Sequence, residues 1–393
     1  MAKQRIGILG GTFDPVHFGH LQAARFAASS ARLDRVLVLP SGMPAYKECA
    51  VSGEDRWKMV VAACRGDSLL VPSRLELDRE GPTYTADTLP HLQSAYPDAK
   101  LFWIIGADAL LRLPRWKRAE ELLPCCRFLV CARPDEAGAD AVAAAAEEVR
   151  RLGGKVEIIP MPPSPFASGA IRSALAKGVE PEGLDVCVLE YIQAKGLYGL
   201  PARVPESGPW LDRLFSALRP HRYAHSLAVA YAARRMAERF GEDPLKAEKA
   251  GLLHDCAKHL PLPEMQRLAR ENGITDDEAF LASSALLHSL VGAFLAERDY
   301  GMKDPEILDA IRYHNTGCAG MSRLAMCVCL SDSIEPTREP YPFLEEIRAV
   351  SETSLEKALL MSLENTAGFV ERKGAFLHPR TKETIAWLKT LQS

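Results

Sequence analysis

Five short apolar runs, at residues 5–9, 35–39, 101–105, 127–131 and 156–159, alternate with helix-like stretches along the first half of this chain. The runs are nearly continuous in Val, Ile, Leu and Phe and lack the polar alternation of a half-wetted strand. Strands of that kind are buried on both faces, as happens when helices cover both sides of a parallel sheet. Residues 19–31, 54–64, 85–94 and 139–152 supply those helices, and 168–176 and 184–194 close the half. The first half is therefore predicted to be an α/β doubly wound parallel sheet. The alternation stops at YGLPARVPESGP (residues 198–209), where Pro and Gly reach linker density. Beyond it, residues 210–240, 244–259, 263–272, 276–297, 304–314, 322–334 and 354–372 read as helices, and nothing reads as a strand. An all-α second domain follows. A chain of 393 residues is too long for one ordinary core. Two domains are expected, 1–202 and 203–393, separable as fragments 1–200 and 206–393.

Charge and composition narrow the function classes. The formal net charge is -3, without the basic excess that a nucleic-acid binder needs for phosphate contacts. No stretch is long and apolar enough to span a bilayer. The opening MAKQRIGILGG enters a strand with no signal-peptide pattern. Ten cysteines fall mostly inside apolar segments, with no Cys-x-x-Cys pair. Reduced, buried thiols in a cytoplasmic enzyme are expected. Oligomeric state is left open.

The segment GGTFDPVHFGHL (residues 10–21) leaves the first strand and enters the first helix. Gly10 and Gly11 let the backbone approach a phosphate, and free amides at the helix start favour an anion. His17 and His20 flank Gly19, where both rings can present N–H groups to one phosphate. With Thr-Phe-Asp-Pro in register, this loop resembles the signature of the adenylyl- and cytidylyltransferase superfamily. RLELDREGPTYTADTL (74–89), WIIGADALLRLPRW (103–116), FLVCARP (128–134) and LEYIQAKGLY (189–198) look most like bacterial nicotinate-nucleotide adenylyltransferases.

That resemblance implies a Rossmann-like nucleotidyltransferase that moves AMP from ATP to nicotinate mononucleotide, releasing pyrophosphate. ATP would lie on Gly10, Gly11, Thr12, Phe13 and Ser168. His17, His20, Lys47 and Arg172 would be donors around the triphosphate, with Mg²⁺ bridging ATP oxygens. Thr85, Asp108, Trp116 and Arg133 would lie on the mononucleotide side, Thr85 offering an amide to the nicotinate carboxylate. Two positions depart from the family pattern. Tyr46 stands where Pro-Pro-His-Lys has histidine, and Gly169 stands where Ser-Ser-Thr-x-Ile-Arg has threonine.

The helical half carries His225, the adjacent pair His254-Asp255, then His288, His314 and Asp332. An ionised Asp after Leu252 and Leu253 is costly to bury unless a cation or donor compensates. Neighbouring helix positions diverge by about 100°, which lets the pair grip one ion from two sides. Lys258 follows one turn later, on the side where it could meet a substrate phosphate. The series resembles the HD superfamily of metal-dependent phosphohydrolases. RYAHSL (222–227), IRYHNTG (311–317) and LSDSIEP (330–336) look like the bacterial HD proteins that split diadenosine tetraphosphate symmetrically. The resemblance implies one ion on His225, His254, Asp255 and Asp332. A second would lie on His288 and His314, with Asp255 bridging. Imidazole and carboxylate without thiolate suit iron or manganese, with zinc as an alternative. His91, His221 and His259 are expected to be structural, and Arg338 is a weaker candidate for phosphate contact. Two other readings stand beside this bifunctional enzyme. The helical half could be a nucleotide-sensing module without turnover, or the first half could use another phosphate acceptor.

Overall fold

The computed structural model describes residues 3–132 and 138–392. The chain divides into two compact units. One comprises Met1–Val188 with Leu197–Leu200, and the other Leu189–Gly196 with Pro201–Ser393.

The first unit holds six parallel strands: β1 (Arg5–Gly11), β2 (Arg35–Pro40), β3 (Leu70–Pro72), β4 (Lys100–Gly106), β5 (Arg127–Ala132) and β6 (Lys155–Pro160). Their spatial order is β3-β2-β1-β4-β5-β6. This is the doubly wound arrangement, with its switch point between β1 and β4, where ligands bind beyond the carboxyl ends of the strands. The five expected strands are present, each longer by one or two residues. β3 was not expected, because Leu70–Pro72 is too short to give an apolar run. A separate two-residue ladder pairs Met43–Pro44 with Pro82–Thr83. Ile6, Ile8, Leu37, Leu39, Trp103, Phe128 and Val130 fill one face of the sheet, with helices Thr85–Ala95 and Ala139–Arg151 against it.

Among its described residues the second unit has helices and no strands, and two expected helices are broken in it. Residues 210–240 form Ser207–Ala217 and Pro220–Phe240, separated by extended Arg219 (φ -64°, ψ 151°). Pro220 lacks an amide hydrogen and pushes its predecessor out of helical geometry, so it starts a helix instead of continuing one. Residues 276–297 form Glu278–Leu281 and Ser284–Tyr300, parted at extended Ser283. Helices Leu344–Ser351 and Pro379–Thr390 were not expected. Pro244–Leu253 ends one residue before His254, so the His-Asp pair sits in the turns after the helix and not inside it. No helix among the described residues is long and apolar enough to cross a membrane.

Candidate functional sites

The first site is built where β1 ends. The chain turns through residues 12–16 and enters helix Phe18–Ala31, with His17 at its cap in extended conformation. The His17 amide donates to His20 Nδ1 at 3.3 Å, and the two rings stack with centroids 3.8 Å apart. A ring nitrogen that accepts a backbone N–H bears no proton. In the uncharged ring, His20 then carries its hydrogen on Nε2, which makes that nitrogen a donor. A Cβ on Gly19 would lie 3.1 Å from the His17 ring and 3.0 Å from Ser164 Oγ. Glycine is the residue that leaves the stack undisturbed.

Three side chains clamp this loop. Asp14, 1% exposed, accepts from Ala50 N at 2.7 Å and from Tyr198 Oη at 2.8 Å. Its carbonyl accepts from Arg172 Nη1 at 2.5 Å. Arg56, buried to the same degree, donates to the carbonyls of Thr12 and Gly42 at 2.8 and 3.1 Å.

A cleft of about 770 Å³ opens over the loop at the switch point. Of the expected residues, Gly10, Gly11, His17, His20, Lys47, Ser168, Thr85, Asp108 and Trp116 line it. Thr12, Phe13 and Arg172 do not. The Thr12 carbonyl accepts from Arg56, Phe13 lies buried with its ring 5.0 Å from that of His20, and Arg172 donates to the Asp14 carbonyl. Arg133 lies outside the described residues. Lys47, Thr83, Thr85, Ala109 and Trp116 also line an adjoining cavity of about 560 Å³ with Tyr46 and Tyr84. Tyr46, in the place of the family's histidine, is exposed and meets Tyr84 edge-on at 5.9 Å. Glu76 lines the cleft too, 5% exposed, accepting from Thr88 Oγ1 at 2.7 Å. Burial pushes its carboxyl up to about 7 against the opposing pull of Thr88, Arg79 and Ser41.

The second site gathers all six expected ligand residues. Helix Pro220–Phe240 brings His225, and the turns after Leu253 bring His254 and Asp255. Helix Ser284–Tyr300 brings His288, the end of Pro305–Tyr313 brings His314, and Arg323–Ile334 brings Asp332. Contact is close because Gly251 sits against the backbone of Ala230. A Cβ there would lie 2.8 Å from Ala230 Cα and 3.0 Å from Val229 O.

His225 Nε2 lies 2.9 Å from Asp332 Oδ1, and His254 Nε2 lies 3.8 Å from that oxygen and 3.7 Å from Asp255 Oδ2. Asp255 Oδ1 is 3.3 Å from His288 Nε2 and 3.8 Å from His314 Nε2. Each imidazole is held by its other nitrogen. His254 Nδ1 is 2.7 Å from Gly251 O, His314 Nδ1 is 2.7 Å from Ile311 O, and His288 Nδ1 is 3.2 Å from Ser284 O. A carbonyl can only accept, so these three Nδ1 atoms carry the proton and the Nε2 lone pairs are bare.

His288 and His314 then face each other through two lone pairs 3.0 Å apart, and His254 Nε2 is buried with no hydrogen-bond partner among the described residues. Burial drives the His288 and His314 rings down to about 4, so a shared proton does not relieve this at neutral pH. A divalent cation fits the arrangement. Burial alone would raise the Asp255 carboxyl, but the positive charge it faces, Lys258 included, holds it well below the usual carboxylate range. Burial lowers Lys258, which faces Asp255, Asp332, Arg222 and Arg338.

The first half matches the Cytidylyltransferase-like family model over residues 8–173, and the second matches the HD domain over 222–337. A Gloeobacter violaceus protein named "Probable nicotinate-nucleotide adenylyltransferase" is 40% identical over 211 residues, covering 51% of this chain and 98% of that relative. The "Bis(5'-nucleosyl)-tetraphosphatase, symmetrical" of Bacillus subtilis is 41% identical over 172 residues, 44% of this chain and 91% of its own. The chain belongs to the nicotinate-nucleotide adenylyltransferases, fused to a symmetrical tetraphosphatase of the HD family. A Mycoplasma genitalium protein, "Probable nicotinate-nucleotide adenylyltransferase/Ap4A hydrolase", is 27% identical over 376 residues, spanning 94% of this chain and 99% of that one.

Sequence reading of the adenylyltransferase half missed Asp14, Arg56 and Glu76. Asp14 stood in the quoted loop, whereas nothing local marks Arg56 or Glu76. In the tetraphosphatase half it missed Arg222, whose Nη1 lies 3.1 Å from Asp255 Oδ2, and Glu335, 3.2 Å from His225 Nδ1. Both stood within quoted motifs, Arg222 at the start of one and Glu335 next to the last residue of another.

Proposed function

We propose that this chain is a bifunctional enzyme. The first half transfers AMP from ATP to nicotinate mononucleotide, giving nicotinate adenine dinucleotide and pyrophosphate. The second hydrolyses diadenosine tetraphosphate symmetrically to two ADP. The acceptor phosphate attacks the α-phosphorus of ATP in line, and the bond to the β-phosphate breaks. His17, His20 Nε2–H and Lys47 meet the negative charge that the triphosphate and leaving pyrophosphate carry, while Thr85 and Trp116 seat the mononucleotide. Arg172 and Asp14 hold the loop in place. Mg²⁺ bound by ATP supplies further charge neutralisation.

In the second half, His225, His254, Asp255 and Asp332 would hold one ion of iron or manganese, or of zinc. His288 and His314 would hold another with Asp255. A divalent cation there supplies Lewis-acid polarisation and acidifies a water. Arg222, Lys258 and Arg338 orient the phosphate chain and neutralise its charge. All ten cysteines are free thiols, which suits the reducing cytoplasm.

The observation that carries the hydrolase reading is the pair of bare Nε2 lone pairs on His288 and His314 beside the Asp255 carboxylate. Asp255→Ala should remove bound metal and ADP release together while pyrophosphate release continues. His20→Ala should do the reverse, slowing pyrophosphate release at least about tenfold. Metal-loaded protein that binds diadenosine tetraphosphate without cleaving it would point to a sensing module. Equal rates with nicotinate and nicotinamide mononucleotides would remove the acceptor assignment.

A further inference from the structure

The amino-terminal ends of four adjacent strands, away from the His17–His20 cleft, each present one cation: Arg5 on β1, Lys100 on β4, Arg127 on β5 and Lys155 on β6. The register sets Arg5 beside Lys100, Phe102 beside Arg127, and Arg127 beside Lys155. Strand spacing of about 4.8 Å places the four charges along one short ledge. They line a single cavity of about 580 Å³ with Gln93, Tyr96, Phe102 and Cys125, and no carboxylate stands among its described lining residues. In a chain of net charge -3, such a cluster is not the overflow of a basic composition.

The guanidiniums are held in place. Arg5 Nε and Nη2 donate to Ala31 O at 2.9 and 2.7 Å, and its guanidinium carbon lies 4.5 Å from the centre of the Phe102 ring. The Arg127 guanidinium lies 5.9 Å from the same ring. Its nearest counter-charge, Glu157, is 3.7 Å away, with both side chains nearly half exposed, so water screens that pair. The ring thus carries cations without a matching anion in the cavity.

We propose that this cavity is a second anion site, which binds the phosphoanhydride chain of a small polyphosphate. A single phosphate can neutralise one or two of these cations, whereas a chain of phosphates can follow the ledge across β4, β5 and β6. The volume is that of a small-molecule site. The chemistry is shared by inorganic polyphosphate and by the polyphosphate arm of a nucleotide.

Cys125 is an exposed thiol on the cavity wall, and it gives a local reading that occupancy of the catalytic cleft does not disturb. In the full chain, thiol alkylation at Cys125 is followed by peptide mass spectrometry with and without inorganic tripolyphosphate, ADP or ATP. Tripolyphosphate is expected to slow modification at least about threefold in the native protein. It should have no effect in K100S/R127S/K155S, which keeps Arg5 for its bond to Ala31. Pyrophosphate release at limiting ATP should be the same in both proteins, since none of the three residues lines the cleft. Protection by ADP or ATP at lower concentration than tripolyphosphate identifies a nucleotide as the source, and the reverse order identifies inorganic polyphosphate. Absence of protection in the native protein, or equal protection in the triple variant, overturns the proposal. If the triple variant does not fold, K155E alone must weaken protection.

Discussion

The Glu335 carboxylate lies 3.2 Å from Nδ1 of His225, while the other three site histidines rest on backbone carbonyls. Glu335 is 2% exposed and also accepts from the amide of Thr337. Burial would lower the His225 ring, but Asp332 and Glu335 together raise it to about 9. A carboxylate behind an imidazole makes it a stronger ligand and locks its orientation.

Glu335→Gln keeps the shape and removes the charge. Metal affinity at the His225 end should fall roughly 10- to 100-fold. Chelator-driven metal release should quicken, with far-UV dichroism unchanged. Unaltered release kinetics would reduce Glu335 to a packing residue.

Gly251→Ala should damage the second site without touching a ligand. The added methyl would lie 2.8 Å from Ala230 Cα, and backbone cannot step aside as a side-chain tip can. Separating the two helices should cost about 1–3 kcal/mol. It should also shift His254 and Asp255 away from His225. A lower denaturation midpoint with reduced ADP release and normal pyrophosphate release is the expected pattern.

Glu76 predicts a pH dependence of the first unit. Its folded value of about 7 lies above the ordinary 4.5, so the unfolded chain gives up this proton more readily. Stability is therefore lost as pH rises from about 4.5 to 7, by an upper bound of about 3 kcal/mol. Glu76→Gln cannot ionise. The variant should be close to the parent at pH 4.5 and more stable at pH 8, as read from thermal unfolding. A difference that does not change with pH would show that Glu76 is not the titrating group.

Three buried charges and the half-buried Arg203 bear on where the second unit begins. Arg203 Nη2 meets Glu190 at 2.9 Å and Arg203 Nε meets Glu248 at 2.7 Å, with Arg234 3.7 Å from Glu248. Both glutamates are 1% exposed, and burial with the Glu248 charge pushes Glu190 up to about 8. A fragment of residues 206–393 lacks Glu190 and Arg203, whereas 184–393 keeps all four. Breaking such a buried network costs about 3–5 kcal/mol, so the shorter fragment should unfold at distinctly lower urea. Equal midpoints would show that the cluster contributes little, and would support a boundary near residue 203.

The sequence alone determined the strand alternation, the Gly-Gly loop after the first strand and the six metal-ligand candidates. Each of these is written locally. A doubly buried strand must be an apolar run, a loop whose backbone is to approach a phosphate needs glycine, and cation ligands come from a few residue types, His and Asp here. Helix ends were less legible, since Pro220 and Ser283 break patterns whose apolar spacing runs on through them. The tertiary structure decided what each side chain faces. Arg172 carries the charge expected of a phosphate donor, yet its guanidinium is bonded to the Asp14 carbonyl. Arg56 and Glu76 sit in helical and loop segments that look ordinary, and become parts of the first site only when β1 and β2 pair. The ledge of Arg5, Lys100, Arg127 and Lys155 is spread over 151 positions of chain, and strand register alone assembles it. Long-range pairing places residues with no sequence relation a few ångströms apart, and that juxtaposition leaves no mark on either segment by itself.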